Sequence, residues 1–87
     1  MKCKDIYVNR EELFSLGIDE ASGRFYVSFP VSSGMIDYEE YYEIDHASLE
    51  FFQHNSDAAV DFVMKCRRRE LDELLIEQPG NNRGSAI

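Results

Sequence analysis

Residues 35–44 read Met35-Ile36-Asp37-Tyr38-Glu39-Glu40-Tyr41-Tyr42-Glu43-Ile44, and the alternation of side chains in this stretch decides the fold. Successive side chains of a strand point to opposite faces. Ile36, Tyr38, Tyr42 and Ile44 therefore share one side with Glu40, while Asp37, Glu39, Tyr41 and Glu43 share the other. The first set is expected to face a core and the second to face solvent. Glu40 alone breaks the inner set, and a carboxylate there needs the rim of the sheet or a basic partner such as Arg24.

Towards the N-terminus the same period recurs. Phe25, Val27, Phe29 and Val31 alternate with Tyr26 and Ser28, which gives a second strand. Ala21-Ser22-Gly23 supplies a turn before it and Ser32-Ser33-Gly34 a hairpin loop after it, with Gly34 suited to a left-handed backbone position. Pro30 has no N–H to give to a ladder, so regular pairing is expected to end near Phe29 or to pass through a bulge there. Phe14, Leu16 and Ile18 alternate with Ser15, Gly17 and Asp19 as a third strand. Asn9 followed by Glu12 could instead open a short helix that ends before Gly17. Ile6-Tyr7-Val8 is a candidate for one more short strand.

Towards the C-terminus the period changes to that of a helix. Asp45 can cap a short helix from His46 to His54 that buries Leu49 and Phe52, with Phe51 as a third candidate, and Asn55 or Ser56 can cap a second. Val60, Val63, Met64, Leu71, Leu74 and Leu75 repeat at helical spacing between Asp57 and Glu77, broken only around Arg67. Such a helix would be about 32 Å long, so its last turns would overhang the sheet or meet a second copy. Pro79-Gly80 stops it, and residues 79–87 read as a flexible tail. The expectation is a single α+β domain over residues 1–78, an antiparallel β-meander of about three strands covered on one face by two C-terminal helices.

Composition limits the partners. The chain has 87 residues, 44% of them hydrophobic with six Phe and five Tyr, which suffices for one core. Its net charge of −8 is unevenly spread, because residues 11–60 carry eleven carboxylates against Arg24 alone. Such a field repels nucleic acid and anionic membrane and favours basic partners. With no run of seven apolar residues, neither a signal peptide nor a membrane span is expected, and the expected location is the cytoplasm. Cys3 and Cys66 lack the spacing of a zinc or redox pair, so Cys66 reads as a buried thiol and Cys3 as a spectator.

Asp37 and Glu39 would stand about 6.5–7 Å apart along one strand face, with Glu43 four residues further along it. Two carboxylates at that separation can hydrolyse glycosides, but only in a cleft that raises the pKa of one of them. Cation ligands converge from loops, whereas strand side chains project in parallel. Neither catalysis nor a metal is therefore expected. His46 and His54 have no metal spacing, and the isolated glycines form no phosphate loop, so no cofactor is implied. Lys65-Cys66-Arg67-Arg68-Arg69 resembles a nucleic-acid patch, but Asp61, Asp72 and Glu73 stand four residues from Lys65, Arg68 and Arg69, as in a self-neutralised helix face.

What remains is a docking face for a basic protein, made of Asp37, Glu39, Tyr41, Glu43 and Asp45, against the plainer possibility of a solvated strand. The expected function is that of a small acidic, non-enzymatic binding module. It would work as immunity proteins do against nuclease toxins, or as phage-borne nucleic-acid mimics do against nucleases. The alternative is a structural or adaptor protein that forms a homodimer through the helix over residues 57–77.

Overall fold

The computed structural model of the protein describes residues 1–34, 36–78 and 83–87. Four strands follow one another as an antiparallel meander: β1 (Cys3–Asn9), β2 (Phe14–Asp19), β3 (Arg24–Ser32) and β4 (Asp37–Ile44). Two helices, α1 (His46–His54) and α2 (Ser56–Arg67), and a 3-10 turn (Asp72–Leu74) come next, and a two-residue strand β5 (Ser85–Ala86) pairs with β3. The α+β class and the C-terminal helices match expectation. The meander has four strands rather than three.

The extra strand is built around Ile6, Tyr7 and Val8 and pairs with β2 through a register shift between Asp5 and Tyr7. The Asn9 and Glu12 pair that could have opened a helix closes the β1–β2 hairpin instead. The Glu12 amide donates to the Asn9 Oδ1 at 2.9 Å, and Leu13 takes a left-handed φ of 57°. The side-chain signal is the same for a capping box and for such a turn. The choice falls to the strand because Phe14 and Leu16 become buried against the other elements.

One face of the sheet carries the core. Leu16, Val27, Phe29, Val31, Tyr42 and Ile44 meet Leu49 and Phe52 of α1 and Ala59, Val63 and Cys66 of α2. Each large apolar side chain so buried contributes about 1.5–3 kcal/mol. Phe29 and Tyr42 stack across the β3–β4 pair, with ring centroids 5.5 Å apart. Asp45 caps α1 as its position implies, its Oδ1 accepting from the Ser48 amide at 2.7 Å.

Three expectations are corrected. Pairing runs through Pro30 to Ser32, opposite Asp37 of β4. A strand residue's N–H and C=O point to the same side, and the Pro30 carbonyl accepts from the Ile87 amide at 3.3 Å. The missing N–H thus faces away from β4, beyond the last β2 partner at Ser28.

The second correction concerns α2, which ends at Arg67, not near Glu77. Arg69 adopts a φ of 61°, its amide donates to Cys66 O, and the Glu70 amide donates to Lys65 O. These are the two bonds of a Schellman motif, here without the glycine that usually announces one. The chain then turns back. Leu75 bridges to Tyr42, the Ile76 amide donates to Tyr41 O, and Leu71 and Leu74 pack on the core. The helical i,i+4 pairs expected at Arg68–Asp72 and Arg69–Glu73 therefore have no helix to form on. Arg68 pairs with Glu70, and Asp72 pairs with Arg83.

The third correction is in the segment expected to be a tail. Residues 79–82 lie outside the described residues, but 83–87 contribute β5, which pairs Val31 with Ala86 and Ser32 with Ser85. Because β4 occupies the other edge of β3 as far as Ser32, β5 continues the ladder where β2 stops.

Candidate functional site

Alternation within β4 sends its two sets of side chains as the sequence implies. Tyr42, Ile44 and Glu40 are buried on the helix side, and Tyr38 is half-buried. Ile36, read as an inner residue, lies before the strand and is 65% exposed. On the opposite face Asp37, Glu39 and Glu43 are exposed and Tyr41 is half-buried.

Glu40 does not use Arg24. Its carboxylate accepts from Arg83 Nε at 2.8 Å and Arg83 Nη2 at 3.0 Å, and Tyr42 Oη donates to it at 3.1 Å. Arg83 also holds Asp72 through both terminal nitrogens, at 2.6 and 3.0 Å. Those two carboxylates keep the Arg83 guanidinium charged, and the Arg83 hydrogen bond holds Asp72 below the ordinary carboxylate range. Burial, then the Glu40 charge, pushes the Tyr42 hydroxyl up. This network is internal to the fold.

The outer face is organised by two tyrosines. Tyr26 of β3 is fully buried although no helix covers this side. Its hydroxyl donates to Asp5 Oδ1 of β1 at 2.6 Å, so the ring lies across β2. Gly17 makes that possible, since a Cβ there would stand 2.4 Å from both the Tyr26 hydroxyl and the Lys4 carbonyl. Tyr41 meets Tyr26 edge-on, with centroids 4.9 Å apart and planes at 88°. Burial first, and next the Cys3 thiol, raises the Tyr41 hydroxyl, while burial and Asp5 do the same for Tyr26. Both therefore stay neutral hydrogen-bonding groups at physiological pH.

Around these rings stand the carboxylates. The cross-strand partners on β3 are uncharged: Ser32 opposite Asp37, Pro30 opposite Glu39, Ser28 opposite Tyr41 and Tyr26 opposite Glu43. Glu39 accepts a long 3.4 Å bond from the Ser28 hydroxyl. Glu43 meets Arg24 at 3.9 Å with about half of each side chain exposed, a pair worth little in water. Asp45 is set apart from the others by its role as the cap of α1, and the Ser48 amide lowers its pKa.

A feature invisible to strand alternation completes this surface. At the end of the face nearest the β1–β2 turn, Val8, Leu13, Phe14 and Pro30 line a shallow apolar hollow of about 200 Å³, with Glu39 and Arg10 at its lip. Val8 and Leu13 are 50% and 44% exposed. The turn beneath is clamped by Arg67, whose Nη2 donates to the carbonyls of Glu12 at 2.7 Å and Leu13 at 3.2 Å. The Arg67 guanidinium also lies over the Phe29 ring, 5.5 Å from its centroid.

Cys66 is buried, its thiol pushed up to about 12 by burial, and Cys3 is exposed. His46 and His54 stand at the two ends of α1. Among the described residues no three His, Cys, Asp or Glu side chains converge as ligands for a metal, and no helix is long and apolar enough to cross a membrane. No protein-family model matches this chain, and no curated protein or solved structure is significantly similar to it.

Proposed function

We propose that this chain is a protein-binding module that docks a basic partner on the outer face of its sheet and occludes it, as an immunity-type inhibitor does with a nuclease or toxin in the cytoplasm. The observation that carries this reading is the placement of Asp37, Glu39 and Glu43, exposed and opposite uncharged β3 partners, around the Tyr26–Tyr41 pair on the side the helices leave open. Aligned carboxylates raise the local negative potential, and lysines or arginines of a partner relieve it. The hollow beside Glu39 adds an anchor, because interfaces concentrate their affinity in a desolvated apolar centre ringed by polar groups.

Homodimerisation through a helix over 57–77 has less support, since α2 stops at Arg67 and Leu75 is buried within the chain. A nucleic-acid mimic would use the same face and differ only in which basic protein it meets.

The test is a pull-down from the native host at low salt, followed by binding kinetics of the captured protein. Association should slow about tenfold or more between low and moderate salt. The double variant Glu39→Lys with Glu43→Lys should abolish binding, and Leu13→Asp should speed dissociation. Binding that ignores salt and both variants would overturn the reading.

A further inference from the structure

A second cavity, of about 360 Å³, opens on the opposite side of the sheet between the end of α2 and β5. Arg67, Arg69, Arg83 and Ser85 line it above an apolar floor of Phe29 and Val31. Three of the nine basic residues of a chain with net charge −8 thus converge on one opening. Glu40 also borders it, and Glu40 is held with Asp72 by Arg83.

The other two guanidiniums have no carboxylate among the described residues. Arg67 donates to the carbonyls of Glu12 and Leu13 and to the Met64 sulfur, and its Nε–H is buried with no acceptor. Arg69 donates to the Gly84 carbonyl at 3.1 Å. The chain has seventeen Asp and Glu residues, and among the described residues neither arginine is in ion-pair contact with one. The favourable field at a helix C-terminus accounts for cations near this turn, and Asp72 feels the Arg69 charge, but neither guanidinium is closed off by a direct ion pair.

We infer that this cavity binds a phosphate dianion, free or carried by a small organic group, between Arg67 and Arg69 with the Ser85 hydroxyl as a further donor. Two guanidiniums without a carboxylate in ion-pair contact match a dianion better than a monoanionic carboxylate, and the guanidinium fork fits phosphate oxygens two at a time. Phe29 and Val31 offer an apolar surface to whatever the phosphate is attached to. The site is separate from the outer face and does not depend on the docking proposal.

The test titrates the full chain with inorganic phosphate, phenyl phosphate and acetate at constant ionic strength, followed by amide NMR shifts of Ser85 and Ala86. Phosphate should shift these amides saturably, and acetate should bind about tenfold more weakly or worse. Arg69→Gln, at an exposed position, should weaken phosphate about tenfold while leaving the spectrum otherwise folded. Tighter binding of phenyl phosphate identifies an organic phosphate as the ligand, and equal binding identifies the free ion. Glu43→Lys should leave phosphate binding unchanged, which separates this site from the docking face. Equal shifts with all anions, or shifts that survive Arg69→Gln, would reduce the effect to general screening of an acidic protein and overturn the proposal.

Discussion

Glu39 and Glu40 are adjacent in sequence and opposite in circumstance. Glu40 points to the helix side, is 6% exposed, and is held by Arg83 and Tyr42. Glu39 points to the open side, where a serine hydroxyl at 3.4 Å is its hydrogen-bond partner. The inner carboxylate is ion-paired within the fold. The outer ones are exposed, and the nearest cation to them, Arg24, makes only a long, solvent-screened pair with Glu43. Charge that a fold compensates reports on stability, and charge that it leaves uncompensated is available for recognition.

The most damaging way to break this contrast is to remove the inner counter-charge. Arg83→Met leaves Glu40 and Tyr42 without their cation and should cost about 3–5 kcal/mol, read as a fall in the urea midpoint. Gly17→Ala attacks the outer face from beneath. The new Cβ clashes with both the Tyr26 ring and the Lys4 backbone, and making room for it costs about 1–3 kcal/mol. It should also weaken partner binding, because Tyr41 loses the ring it leans on.

Acid should weaken the fold through the carboxylates that folding holds below their ordinary range. Asp72 is depressed by Arg83, Asp19 by the Ser22 hydroxyl, and Asp45 by the Ser48 amide. Groups depressed on folding stabilise the native state above their unfolded pKa and lose that contribution as pH falls through the folded one. The urea midpoint should therefore drop as pH falls through the ordinary value of 3.8 and below it, and Asp72→Asn should flatten that decline. The smallest effect on stability is expected from Glu39→Lys with Glu43→Lys, within about 0.5 kcal/mol, although this variant should lose the partner altogether. A large loss of stability would mean that the outer carboxylates are structural after all.

How far each of these features could be foreseen depends on the distance along the chain over which it is decided. The two faces of β4, the α1 cap at Asp45 and the burial of Leu49 and Phe52 follow from patterns spanning fewer than about ten residues. The end of α2 lay within reach of the same reading, since the apolar repeat falters at Arg67. The left-handed turn at Arg69 has no glycine to mark it, however, and continued leucines read as continued helix. The burial of Tyr26 was beyond any single-strand reading. It needs Gly17 on the neighbouring strand to leave room and Asp5 one strand further on to accept the hydroxyl.

The sequence by itself determined that this is a small acidic α+β chain with one row of carboxylates facing outward from a strand, because side-chain alternation is a property of the backbone at each residue. Only the tertiary structure decided which carboxylate is answered from within. Glu40 and Arg83 are 43 residues apart along the chain. What joins them is the turn after α2 and the pairing of β5 with β3, and the strength of an ion pair depends on that spatial approach and on the water excluded around it.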